Sequence, residues 1–287
     1  MPTSIKEMIL FHGFFFFSTI VLDGQVQNKP DTVSIQSDKL TLKGLLWQPV
    51  GAGKFPAIIF CHGSVGGSDT IHDPIREASL LGQLFASRGY IFLALFRRGA
   101  GLSQGQGWNS TDLMDSAFKK GGQKARNTVQ LQQLEGAQLR DVLSGIAFLR
   151  KTMQVDKNRI AIVGHSFGGS LALIVAEHSS DLKAVVAFSP AGYSWELSPQ
   201  LREALVDAVK HTYVPIMIIH AQNDYSVNPG HALDSVMNQL HRPHLLELYP
   251  KFGNSPADGH ALIYNGIDLW ESDVFKFLNK ILTPSKN

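Results

Sequence analysis

Residues 159–178 read RIAIVGHSFGGSLALIVAEH. The first five are a short, mostly apolar run, the pattern of a strand buried on both faces. Residues 167–178 are apolar, longer and free of proline, so a helix follows with almost no connection. Between the two stands Gly164-His165-Ser166-Phe167-Gly168. A serine held on a sharp turn between strand and helix presents its hydroxyl at the edge of a sheet, and the flanking glycines leave room for the tight backbone. The pattern alone is a weak signal, because Gly101-Leu102-Ser103-Gln104-Gly105 matches it too. Ser103 is followed by Gln104-Gly105-Gln106-Gly107, which cannot start a stable helix. Ser166 is therefore the candidate nucleophile and Ser103 a loop serine.

Outward from this turn, strands and helices alternate. Residues 32–37 and 40–48 alternate apolar and polar side chains around Ser37-Asp38-Lys39, as in an antiparallel hairpin. Residues 55–61 and 90–96 read as buried strands, with helical spacing over 74–87 between them. Residues 103–130 are polar and Gly-rich and read as an excursion carrying a short helix, followed by a long amphipathic helix over 134–153. Downstream, 183–188, 214–220 and 244–249 read as strands, and 229–240 and 269–282 as helices. Residues 195–210 read as a helical insertion, within a lid-like segment of approximately 192–213. This alternation predicts an α/β fold, a mostly parallel sheet of about eight strands covered by helices on both faces, in a single domain over 31–284.

Composition narrows the function. The 287 residues are 44% hydrophobic and 17% charged, and 26 basic against 24 acidic residues leave a net charge of +2 with no basic or acidic block. Nucleic acid is not an expected partner. A lone Cys61 excludes an internal disulfide framework and a cysteine-based zinc cluster. Residues 8–22 (MILFHGFFFFSTIVL) form an apolar run behind Lys6, shorter than the about 20 residues a bilayer-spanning helix needs. They predict a signal peptide over 1–27, cleaved within 22–27, an exported (periplasmic or secreted) protein, and no stable membrane insertion after cleavage. An uncleaved anchor is the second reading and a buried N-terminal element the third.

A serine hydroxyl at neutral pH needs a base, and the base needs an orienting acid. In this strand–turn–helix class the chain order is serine, acid, histidine. Asp224 follows the strand over 214–220, and His260 lies between the last strand and the last helix. Asp258 is the rival acid, poorly placed two residues from His260. His220 reads as a strand-end residue. Acyl transfer also needs donors for the developing oxyanion. The backbone N–H of Phe167 is one, and the Gly-rich loop from His62 to Gly67 offers the other at Ser64, with Val65 second.

Cys61-His62-Gly63, Phe96-Arg97-Arg98-Gly99-x-Gly101-x-Ser103, the segment around Ser166, Asp224 and Asp258-Gly259-His260 resemble the α/β-hydrolase superfamily, and within it the dienelactone-hydrolase-like branch. Dienelactone hydrolases proper use a cysteine nucleophile where this chain has Ser166. The resemblance therefore implies a serine hydrolase acting on carboxylic esters of small molecules, with no metal or other cofactor. A peptidase or aminoacyl hydrolase of the same superfamily is the alternative, and a catalytically inactive binding protein with this fold is the other. Arg97 is a candidate for gripping a substrate carboxylate, and Trp195 for lining an acyl pocket with Tyr193, Leu197 and Leu201.

Overall fold

The computed structural model describes residues 29–66 and 73–283. The expected signal peptide and Gly67 lie outside the described residues. β1 (Asp31–Ser37) and β2 (Leu40–Trp47) form the expected antiparallel hairpin. β3 (Phe55–Cys61), β4 (Ile91–Phe96), β5 (Val155–His165), β6 (Leu182–Phe188), β7 (Ile216–Ala221) and β8 (His244–Tyr249) run parallel, and β2 joins β4 antiparallel. The result is one eight-stranded sheet of order β1-β2-β4-β3-β5-β6-β7-β8.

The helices are α1 (Pro74–Ser87), α2 (Ser110–Gln132), α3 (Gln138–Lys151), α4 (Phe167–His178), α5 (Pro199–His211), α6 (Asn228–Gln239), the short α7 (Pro256–His260) and α8 (Leu262–Asn265), and α9 (Ile267–Leu282). They lie on both faces because successive strand residues point to opposite sides. Ile59, Ile162, Val185 and Ile218 pack under α3 to α6, whereas Ile58, Phe60, Val163 and Ile219 pack under α1 and α9. β3 lies between β4 and β5, so the chain leaves it toward one side of the sheet and later returns to the other. The loops at the carboxyl ends of β3 and β5 diverge there, which is where open α/β sheets bind ligands.

Two segments differ from their sequence reading. The polar stretch before residue 130 is a 23-residue helix, α2, with non-helical backbone at Gly121 and Gly122, and it runs through a π turn at Gln133–Ala137 into α3. It is polar on average and interrupted at Gly121-Gly122, and only a thin stripe is covered, around Met114, Asn127 and Gln130. Its start is set by Asn109, whose side chain accepts from the N–H groups of Thr111 and Asp112. The segment expected as a lid is built around α5, which packs Leu201, Leu205, Ala208 and Val209 into the core beside α4 and α6. It is the crossover between β6 and β7. Its apolar face seals the sheet, not a substrate.

Asp141 of α3 ties the hairpin to this frame. It is fully buried and accepts from Ser37 Oγ at 2.7 Å and from the backbone, Nε and Nη2 of Arg98 at 2.9, 3.0 and 2.6 Å. Arg98 Nη2 also pairs with Asp38 at 2.9 Å, so loss of the Asp141 carboxylate costs charge-assisted hydrogen bonds at a buried site, about 2–3 kcal/mol, and does not strand the guanidinium. Asp141→Ala is therefore expected to lower the melting temperature by roughly 4–12 °C. A thermal scan that matches the wild type would show that the brace contributes nothing.

Candidate active site

Ser166 sits between β5 and α4 with φ 56° and ψ −117°, a backbone conformation that L residues adopt only when their surroundings impose it. Two glycines make the turn possible. A Cβ on Gly164 would lie 2.1 Å from the Gly168 carbonyl oxygen, and one on Gly168 would lie 2.0 Å from that of Cys61. The Ser166 N–H donates to the Phe188 carbonyl of β6 at 2.9 Å, so the neighbouring strand fixes the turn.

The hydroxyl of Ser166 lies 2.9 Å from His260 Nε2, and His260 Nδ1 lies 2.7 Å from Asp224 Oδ1. A carboxylate only accepts, so the proton sits on Nδ1 and leaves Nε2 free to accept from Ser166. His260 ends α7, and the rival Asp258 has another task there. Its carboxylate accepts from the N–H groups of Asn254 and Ser255 and from Ser255 Oγ, capping that helix.

Asp224 has a second histidine partner that the sequence reading missed. His220 Nδ1 donates to Oδ2 at 2.7 Å, and both side chains are completely buried. The N–H of Tyr225 adds a bond to Oδ1 at 2.7 Å. Burial pushes the Asp224 carboxyl up, but the hydrogen bonds from His220 and His260 outweigh it and hold the group well below its ordinary range. Asp224 is thus an anion at neutral and mildly acidic pH. The signal available in the sequence was the four-residue step from His220 to Asp224, from the end of a strand into the following turn.

Ser64, Val65 and Phe167 line the same cavity as Ser166 and His260. Phe167 is the first residue of α4, whose N–H has no partner within the helix and faces outward from its positive end.

Arg97 does not reach this cavity. It is 1% exposed and lies behind the β3 loop, where Nη2 donates to the carbonyls of His62 (2.8 Å) and Gly63 (3.2 Å) and Nε donates to Gln138 Oε1 (2.7 Å). Trp195 is also absent from the wall; it is 6% exposed and packs into the core under α5. An arginine ending a strand and a tryptophan entering a helix can face either way, and here the need to brace a Gly-rich loop and to fill the core decides. Ser103 is buried as well, donating to the Phe96 carbonyl and accepting from the Lys43 N–H. Burial pushes the Cys61 thiol up to about 11, so it is a neutral core side chain.

The cavity has a volume of about 210 Å³. Tyr193 and Tyr225 form an aromatic edge, 5.4 Å apart between ring centres, and Tyr225 stands 5.1 Å from the His260 ring. From α2 come Arg126 and Gln130, the latter donating to Ser194 Oγ at 3.0 Å. The segment read as a polar excursion therefore supplies part of the cavity wall.

A family model described as the dienelactone hydrolase family matches residues 42–263, from β2 to α8. The chain belongs to the dienelactone hydrolase family. Its architecture is the α/β-hydrolase fold shared by the solved relatives. This dienelactone hydrolase family member is 23% identical over 245 residues to the uncharacterized peptidase YtmA of Bacillus subtilis, covering 74% of this chain and 80% of that one. Among solved structures, it resembles the acylaminoacyl peptidase of Pyrococcus horikoshii with a TM-score of 0.64 at 19% identity, over 90% of this chain but 43% of the peptidase. An esterase of Pyrococcus furiosus matches with a TM-score of 0.61 at 17% identity, over 88% of this chain and 93% of its own. The chain thus spans under half of the peptidase and nearly all of the esterase. No helix among the described residues is long and apolar enough to cross a membrane.

Proposed function

We propose that the chain is a serine hydrolase that cleaves small carboxylic esters through an acyl-enzyme on Ser166. The observation that carries this reading is the unbroken hydrogen-bond line from Ser166 Oγ through His260 to Asp224 at the wall of a cavity. Ser166 Oγ attacks the acyl carbonyl while His260 Nε2 takes its proton, and the Asp224 anion holds the imidazolium. The oxyanion is received by the N–H groups of Phe167 and Ser64. When the tetrahedral species collapses, the alcohol leaves with the proton from His260. A water then attacks the acyl-enzyme with His260 again as base, and the acid is released.

The cavity favours short acyl groups, since about 210 Å³ lies below the roughly 300–1,000 Å³ of drug-sized pockets. Across a series of p-nitrophenyl esters, acetate and butyrate are expected to exceed decanoate in kcat/KM by about 100-fold. A flat series, or a preference for long chains, would contradict the assignment of this cavity as the acyl site. Peptide hydrolysis is the second reading, favoured by the peptidase name of the Bacillus subtilis relative aligned over 80% of its length. Aminoacyl anilides assayed beside the esters separate the two.

A further inference from the structure

Arg97 is a buried cation with no ion-pair partner among the described residues. The nearby Asp141 is already taken by Arg98. The Arg97 guanidinium is held mainly by carbonyls, and two of these belong to the loop that the proposed mechanism uses. The Gly63 carbonyl accepts from both Arg97 Nη2 (3.2 Å) and His62 Nδ1 (2.8 Å). In a trans peptide the carbonyl and the following N–H point in opposite directions, and no cis peptide occurs among the described residues. Fixing the Gly63 oxygen on the Arg97 side therefore turns the Ser64 N–H the other way. The guanidinium also stands 5.5 Å over the ring of Phe167, the residue that carries the second donor.

Resting on the hydrolase reading above, we propose that Arg97 is a positioning residue for the oxyanion site. Through the Gly63–Ser64 peptide it aims and polarises the Ser64 N–H, and its unneutralised charge favours the negative oxygen that forms in front of that peptide. The charge sits within a fixed, dry frame, where such preorganised electrostatics act most strongly. This gives a buried arginine a reason to lack a carboxylate, because a local counter-anion would cancel the field it projects toward the site.

The test is a trifluoromethyl ketone, which mimics the tetrahedral species: the Ser166 Oγ–carbon bond forms, the serine proton passes to His260, and the carbonyl oxygen becomes an oxyanion. Its inhibition constant, kcat and KM for p-nitrophenyl acetate, and the melting temperature are measured for wild type, Arg97→Met and Arg97→Lys. Arg97→Met is expected to weaken ketone binding and lower kcat by about 10- to 100-fold, with KM within about twofold. Arg97→Lys keeps the charge but not the fork, and is expected to lose about 3- to 10-fold in both. Should the Met variant not fold, the Lys variant decides. A variant that melts lower yet binds the ketone as wild type does makes Arg97 a structural brace and overturns the proposal. Wild-type protein that forms no ketone adduct overturns the parent reading instead.

Discussion

Ser166→Ala is expected to lower ester hydrolysis by about 10⁵- to 10⁶-fold, because the nucleophile and its base act as a unit. The residual rate should come from the oxyanion donors and from binding. The fold is expected to survive, since the strain of the turn is met by backbone contacts: the Ser166 N–H to Phe188 and the close approach of Gly164 to Gly168. The measurement is kcat/KM for p-nitrophenyl acetate beside a thermal scan. An alanine variant that keeps more than about one per cent of the activity would place the chemistry on another residue.

The second large effect is expected for Asp224→Asn, a loss of about 10⁴-fold. The carboxylate receives Nδ1–H from both His260 and His220. An asparagine has one acceptor oxygen for these two donors. If that oxygen faces His220, the amide N–H₂ faces His260 Nδ1, which must then accept, and the proton moves to Nε2, where it blocks uptake of the Ser166 proton. Asp258→Asn removes a cap charge and is expected to keep turnover within about tenfold. The reverse ranking would make Asp258 the acid. Linkage has a definite sign here. A carboxyl held below its ordinary value stabilises the fold above about pH 3.9, and that contribution is lost as the pH falls through the lower folded value.

The turn around Ser166 was legible because its determinants are local, with an apolar strand, two glycines and an apolar helix adjacent in the chain. Asp224 and His260 were legible as positions, since the order of strands and helices constrains which loops share one end of a parallel sheet. The structure brings these three side chains together. What escaped the sequence depends on contacts between distant segments. α2 read as an excursion carrying only a short helix because a helix that covers a site's rim needs little apolar surface, and its burial is confined to a few residues. Arg97 and Trp195 looked available to substrate because residue type says nothing about which way a side chain just past a strand or just before a helix turns. His220 looked like an ordinary strand end until the fold showed a completely buried imidazole donating to Asp224. Within the lid-like segment of 192–213, Tyr193 and Ser194 line the cavity while α5 packs into the core, a division that residue type alone does not show, since one apolar helix face serves equally to close a pocket or to cover a sheet.

The central claim is that Ser166 is an activated nucleophile, and covalent labelling tests it most directly. The protein is treated with a fluorophosphonate at neutral pH, with its intact mass measured and the modified peptide mapped. A single adduct on Ser166, formed within minutes and absent from Ser166→Ala and from protein denatured beforehand, is the predicted result. Folded protein that stays unlabelled, or carries its adduct on a different residue, would contradict it.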